Sequence, residues 1–110
     1  MSRAQLDPSV TESSIARFQS ARSDEYAEIG RAADALLQHI ARETEHREFS
    51  FNELEELEGD LAKLRRWKDQ VRGRDYFPTG AHVGVDQLLE RCSEALSEFM
   101  LQAAVQDSSA

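Results

Sequence analysis

The chain has 110 residues, of which 31% are charged and 40% hydrophobic, and its formal net charge is −8. This length suits one domain with a modest core, and the acidic charge does not favour direct DNA binding, which needs a basic face. The single cysteine excludes an internal disulfide, and the lack of a signal pattern or of an apolar run near ~18 residues predicts a cytoplasmic protein with no membrane partner.

Residues 1–12 have no hydrophobic periodicity and are predicted to form a flexible N-terminal segment. From residue 13 to about residue 46, apolar residues recur at spacings of three and four, which predicts one long helix with a restart near residues 20–24 as the alternative. Its stripe consists of Ile15, Phe18, Arg22, Tyr26, Ile29, Ala33, Leu36, Leu37 and Ile40. Gly30 lies beside this stripe, where the missing side chain would let a partner helix approach.

The second predicted helix has the clearest start. Ser50 and Glu53 form the S-x-x-E pattern of a capping box, and Phe49 and Leu54 occupy the positions of a hydrophobic staple. Leucines then follow at helical spacing. Trp67 fills the step before Val71 and is interpreted at this spacing as a core residue, with stacking on a neighbouring cation as the alternative. Gly73 is predicted to end this helix in a left-handed conformation, since glycine tolerates positive φ.

The third predicted helix begins at about residue 81 or 85 and ends at about residue 104, before a polar, flexible tail over residues 106–110. Its apolar face consists of Val85, Leu88, Leu89, Cys92, Leu96, Phe99 and Ala103. Short connections between three amphipathic helices predict an all-α fold, an antiparallel up-down-up three-helix bundle with a long first helix, over residues 13–105. In the second connection, Tyr76 and Phe77 are expected to fold back over the core.

A cluster of cations marks the end of the second helix, where six of the thirteen Lys and Arg residues fall within residues 63–74. In the predicted topology Arg22 lies at the same end of the bundle and faces the core, so its guanidinium needs acceptors. A structural arginine–carboxylate network is the favoured interpretation. The alternatives are an oxyanion pocket, for which arginine donors are well suited, and a surface for a partner.

Other chemistry has less support. His39, Glu43 and His46 share a helix face at i, i+4 and i+7, but a di-iron-type site needs a second such pair, so we predict a solvated face and no metal. His82 is interpreted as a loop residue at the same end of the bundle as the cations, and Cys92 as an inert buried thiol. No nucleophile–base set or phosphate-binding glycine loop is present, so we predict no enzymatic activity and no cofactor.

The order of several motifs resembles a known family. These motifs are FQSARSDEYAEI at residues 18–29, FSFNELEELEGDLAKLRRWKDQVRGRDYF at residues 49–77 and LLERCSEALSEF at residues 88–99. Together they resemble the helical part of the N-terminal region of the chromate resistance protein ChrB family. The resemblance implies a regulatory, stress-response protein of chromate resistance operons. Such proteins usually carry a sheet-bearing segment before the helical unit and another domain after it, and contacts with DNA are expected there.

We therefore expect a non-enzymatic helical module that acts in chromate or oxyanion sensing or in regulatory assembly. The alternatives are a generic protein–protein interaction or dimerisation module and a metal-binding helical protein. The expected partners are a second copy or another protein, together with a small oxyanion. The polar cluster that would hold the oxyanion, or close the bundle, consists of Arg22, Glu25, Tyr26, Trp67, Arg72, Arg74 and Asp75.

Overall fold

The computed structural model describes residues 8–47 and 49–108. Most of them belong to three α-helices, α1 (Pro8–His46), α2 (Phe51–Gly73) and α3 (His82–Ser108). These two ranges contain no strand, and each helix packs against the other two. The predicted all-α, up-down-up three-helix bundle with a long first helix is confirmed.

The first helix begins earlier than the sequence pattern predicts. It starts at Pro8 rather than at residue 13, and proline suits a first turn because the first N–H groups have no acceptor within the helix. Residues 8–12 are therefore helical, while residues 1–7 of the predicted flexible segment lie outside the described residues. The helix continues through residues 20–24 without the restart that was the alternative.

The core is a seam of apolar side chains from all three helices. Its buried members are Tyr26, Ile29, Ala33, Leu36 and Ile40 of α1, Leu57, Leu61, Leu64 and Val71 of α2, and Val85, Leu89, Cys92, Leu96 and Phe99 of α3. Each set recurs at spacings of three and four, apart from the step between Leu64 and Val71, which half-buried Trp67 fills. This spacing places each set on one side of its helix.

The partner helix predicted to lie beside Gly30 is present, but its approach is not unusually close. A Cβ added to Gly30 would lie 3.8 Å from Leu88 Cδ1 of α3, which is ordinary van der Waals contact. The partner helix therefore faces Gly30 as expected, yet it does not require the absence of a side chain there.

The N-terminal part of α1 extends beyond the other two helices. No residue from 11 to 25 is fully buried, although the apolar stripe begins in this stretch, and Phe18 is 47% exposed. The reason is that α2 ends and α3 begins opposite Tyr26, so the earlier turns of α1 have only the connecting loop beside them. The protein is correspondingly elongated, with extents of 79 × 21 × 14 Å.

The connection between α1 and α2 is short. Arg47 directly follows α1 with a φ of 58°, and its N–H bonds to the Glu43 carbonyl at 3.2 Å.

Ser50 caps α2 as predicted, because its hydroxyl accepts the Glu53 N–H at 3.0 Å. The Glu53 carboxylate, however, contacts Nε2 of His39 at 3.2 Å, where the capping box predicts that it returns to the Ser50 N–H. Phe49 packs against the core.

The connection between α2 and α3 differs from the prediction. Gly73 is the last residue of α2, and Arg74 caps the helix at a φ of −101°, so no left-handed residue ends it. The positive φ in this loop belongs to Gly80, at 91°. The prediction that Gly73 supplies the left-handed residue is therefore wrong, because Arg74 closes the last turn through its N–H to the Val71 carbonyl at 3.0 Å.

The third helix begins within the predicted range and ends later. It runs to Ser108, so residues 106–108 of the predicted polar tail continue the helix, and residues 109–110 lie outside the described residues. An ion pair between Lys68 and Asp86, at 3.2 Å, links the second half of α2 to the first turns of α3.

Candidate functional site

The polar cluster predicted from the sequence lies where α2 ends, α3 begins and the middle of α1 passes. We call this cluster the arginine end of the bundle, and it consists of Arg22, Glu25, Tyr26, Arg72, Arg74, Asp75 and His82. The antiparallel turn between α2 and α3 returns the chain to α1 at this level. Residues 49 positions apart in sequence thereby come into contact.

One carboxylate joins two arginines at this end. Glu25 Oε1 lies 2.6 Å from Nη2 of Arg22 one turn earlier on α1, and Glu25 Oε2 accepts a hydrogen bond from Nη2 of Arg74. The three side chains are 18%, 25% and 50% exposed in the order Arg22, Glu25, Arg74. The structure thus gathers Arg22 and Arg74 at one end of a single chain, as the topology predicts.

Arg22 is the least exposed cation of this group, and its hydrogen-bonding capacity is not filled. Its Nε is buried and has no hydrogen-bond partner among the described residues. A guanidinium presents its donors in a planar fork that matches oxygen acceptors. The arginine end therefore keeps one donor that its own carboxylate does not use.

Tyr26 connects the buried seam to this polar end. Its hydroxyl donates to Oδ2 of Asp75 at 2.9 Å. Burial raises the pKa of the Tyr26 phenol, and the hydrogen bond and negative charge of Asp75 raise it further, while the Arg72 guanidinium partly opposes the shift. Tyr26 is therefore held as a neutral hydrogen-bond donor.

His82 also belongs to the arginine end, where the sequence reasoning placed it, but it lies in a helix and not in the loop. It is the first residue of α3, its Nδ1 lies 3.4 Å from Nη1 of Arg72, and its ring centroid lies 6.2 Å from that of Tyr26. Because arginine can only donate, Nδ1 acts as the acceptor in this contact. An α3 start at residue 82, inside the predicted range, is the signal that could have identified it.

The aromatic residues of the α2–α3 loop behave differently from the prediction. Phe77 contacts Phe18 of α1, with ring centroids 5.9 Å apart, and its carbonyl accepts from Gln19 Nε2 at 3.3 Å. Tyr76 is 71% exposed, and Phe77 is 39% exposed and lies outside the buried core, so the prediction that these rings cover the core is wrong for both. The loop follows the extended part of α1, which has no core for Tyr76 to cover.

Trp67 is the predicted site residue that does not join the cluster. It is half-buried and packs against the core, one turn before Val71 on α2. Within the described part of the chain, no polar contact connects it to the arginine end. The neighbouring cations are also dispersed, since Lys68 pairs with Asp86 while Arg65 and Arg66 lie exposed along α2.

A second cluster lies at the opposite end of the bundle, which we call the histidine end. One ligand-type atom from each of His39, Glu43 and Glu53 lies within 4.8 Å of the others. The sequence reasoning named His46 as the third member, which is wrong, because His46 is exposed and Glu53 of α2 takes that place. The capping pattern at Ser50 and the short connection were the signals that could have brought Glu53 to His39.

Cys92 has the environment that the sequence predicts. It is fully buried, and its thiol lies 3.2 Å from the Ala33 carbonyl of α1. Burial raises the pKa of the Cys92 thiol, and Arg65 only partly opposes this. The thiol therefore packs as a small apolar group between α1 and α3.

A search of the described helices for a membrane-spanning segment found none that is long and apolar enough. Comparison with curated proteins gave no match, and comparison with solved structures also gave none. The sequence model of one family, described as "Protein ChrB, N-terminal", matches residues 1–108. This match covers nearly the whole chain and agrees with the order of motifs from Phe18 to Phe99. The chain therefore belongs to the ChrB N-terminal family of chromate resistance proteins.

Proposed function

We propose that this chain is a non-enzymatic, cytoplasmic module that responds to a tetrahedral oxyanion such as chromate, and that the arginine end is the binding site. Membership of the ChrB N-terminal family supports chromate resistance as the setting. The regulatory role would follow if anion binding changes how the module contacts its partners. Direct contact with DNA is not part of this proposal, because the net charge of −8 opposes it.

The observation that carries the proposal is the shared carboxylate of Glu25. Arg22 and Arg74 come from different parts of the chain and converge on it, and Arg22 Nε has no partner among the described residues. A carboxylate offers two oxygens and one negative charge, whereas chromate and sulfate offer four oxygens and two charges. Such an anion could engage both guanidiniums and the remaining Nε donor.

The geometry implies competition between Glu25 and the anion. Since both guanidiniums already contact Glu25, an anion binds only if this carboxylate moves aside. Removing its charge with Glu25→Gln should therefore strengthen anion binding, although the same change weakens the fold by about 1 kcal/mol because two partly buried cations lose their partner. Opposite effects on stability and on binding distinguish an anion site from a purely structural network.

The test is thermal unfolding with increasing sulfate or chromate, at constant ionic strength maintained with sodium chloride. Sulfate has the shape and charge of chromate but does not oxidise the protein. We expect both anions to raise the melting temperature, Arg22→Ala and Arg74→Ala to abolish the rise, and Glu25→Gln to enlarge it. Arg31→Ala, at an exposed position of α1, is the matched control and should keep the rise.

Two results would contradict the proposal. One is a melting temperature that does not respond to either anion in the unaltered protein. The other is a rise of the same size in Arg22→Ala, since the anion would then bind elsewhere.

A second function, protein–protein association, is favoured by exposed apolar side chains. Phe51 is 73% exposed at the start of α2, and Leu101 and Val105 are each 60% exposed on one face of α3. Apolar side chains of this size exposed near one end of a bundle are typical of contact surfaces. Light scattering over a wide concentration range is the test. A strict monomer at high concentration would count against self-association.

A further inference from the structure

We propose that His39, Glu43 and Glu53 bind a divalent transition-metal ion of the zinc class, with one imidazole and two carboxylates as protein ligands. This site lies at the histidine end, opposite the arginine end, and does not depend on oxyanion binding. The sequence alone argued against a metal because no other helix carries a second Glu-x-x-His pair. The structure changes this, since Glu53 of α2 lies beside His39 and Glu43.

The three groups have the chemistry and spacing of such a site. Nε2 of His39 and Oε1 of Glu53 are 3.2 Å apart, and the ligand atoms of all three residues lie within 4.8 Å of one another. In a tetrahedral zinc site with bonds of about 2.0–2.1 Å, neighbouring ligand atoms lie about 3.3 Å apart. One pair already has this separation, and the remaining separations, all within 4.8 Å, have to shorten by at most about 1.5 Å.

The helices position these ligands without strain. His39 and Glu43 are one turn apart on α1 and share a face. Glu53 lies in the first turn of α2, where the Ser50 hydroxyl caps its backbone N–H and leaves its carboxylate free to face α1. The three side chains are partly buried, so bulk water screens them less than it screens exposed carboxylates.

The electrostatic surroundings favour a cation. Glu43 lies in the last turn of α1, where the helix dipole is negative. Glu56 and Asp60 line the groove beside His39, together with one opposing cation, Lys63. Arg47 lines the groove beside Glu43 and is the other neighbouring cation. An imidazole and carboxylates suit zinc and its neighbours in the first transition row.

Metal binding at this position would join two helices. His39 and Glu43 belong to α1 and Glu53 to α2, so a bound ion bridges the α1–α2 turn. Because the ligands are brought together only by folding, binding should stabilise the folded chain. The site is thus expected to raise the melting temperature as well as to hold the ion.

The test is titration of the metal-free full chain with Zn²⁺, followed by calorimetry and thermal unfolding near neutral pH. We expect one ion per chain and a rise in melting temperature. His39→Ala and Glu53→Gln should each weaken binding by at least about 100-fold, since even loss of residues around a ligand weakens metal binding 10–100-fold. Glutamine keeps the size of Glu53 and the backbone cap at Ser50, so this variant should fold.

Two matched controls separate this site from surface binding. His46→Ala removes the neighbouring histidine that the helix pattern alone selects, and Glu55→Gln removes an exposed carboxylate of the same turn of α2. Both should bind Zn²⁺ with unchanged affinity. The proposal would be overturned if the unaltered chain binds no Zn²⁺, if Glu53→Gln binds it normally, or if His46→Ala loses it.

Discussion

The two ends of the bundle are held together by different kinds of contact. At the arginine end, an ion pair between Arg74 and Glu25 and a hydrogen bond from Tyr26 to Asp75 join α1 to the end of α2, and Glu25 also pairs with Arg22 within α1. The histidine end combines the helix cap at Ser50 with the Phe49 ring, which meets Phe99 edge-on at 4.9 Å. One end therefore depends mainly on charge, and the other combines backbone capping and apolar packing with the polar contact between His39 and Glu53.

This difference has a functional consequence. Contacts between charges weaken with added salt and change with pH, whereas aromatic packing responds little to either. The arginine end is therefore the part of the fold where a small anion can shift the balance of interactions. The apolar pair at the other end maintains the helix alignment while that happens.

The largest expected effect is on the apolar packing. Phe99 is 1% exposed, so Phe99→Ala should lower the free energy of unfolding by about 3–5 kcal/mol through lost burial and the cavity left behind. Phe51→Ala is the matched control, because this ring is 73% exposed, and it should change stability by less than about 0.5 kcal/mol. Urea unfolding of both variants is the measurement. Equal losses would mean that Phe51, too, is part of the packed core.

An intermediate effect is expected for the cap at the same end. Ser50→Ala removes the acceptor of the Glu53 N–H and should lower the free energy of unfolding by about 1 kcal/mol. Ser97→Ala, at an exposed position within α3, is the control and should not destabilise, because alanine is the better helix former. The loss in Ser50→Ala should persist in high salt. A loss at Ser50 that disappears with salt would show that the cap acts through charge.

The smallest effect concerns pH at the arginine end. Because burial and Asp75 raise the pKa of Tyr26, the unfolded chain loses this phenol proton first as the pH rises. The stabilisation from the neutral phenol is therefore present below about pH 10 and is lost as the pH rises through the folded-state pKa. Tyrosinate absorbance in a Tyr76→Phe background reports Tyr26 alone, since the chain has two tyrosines.

The matching variant is Asp75→Asn in the same background. It removes the negative charge beside the phenol, so the pKa of Tyr26 should move partway back towards its ordinary value while the effect of burial remains. An unchanged titration in Asp75→Asn would mean that the hydroxyl does not contact this carboxylate.

The helices and their buried faces could be predicted because the determining signals are local. The start of α2 is marked by Ser50, whose hydroxyl accepts the N–H of Glu53 three residues later. Leucines at spacings of three and four define the buried face of this helix. The start of α1 at Pro8 was missed because helix formation there does not need an apolar stripe. The end of α3 was placed too early for the same reason.

How well each candidate site could be predicted depended on how far apart its residues lie in the sequence. Arg22 and Arg74 could be brought together only by assuming the topology, and the assumption holds. Glu53 was assigned to its own helix cap, since a single helix pattern cannot show which residue of the next helix faces His39. Trp67 was grouped with its cationic neighbours in sequence, although its position on α2 turns it to the core.

The buried thiol between α1 and α3 provides a measure of how often these helices part. Cys92 is fully enclosed and contacts the Ala33 carbonyl, so an alkylating reagent reaches it only when the seam opens. The labelling rate then reports the population of open molecules. With one cysteine in the chain, each modified molecule records one such opening.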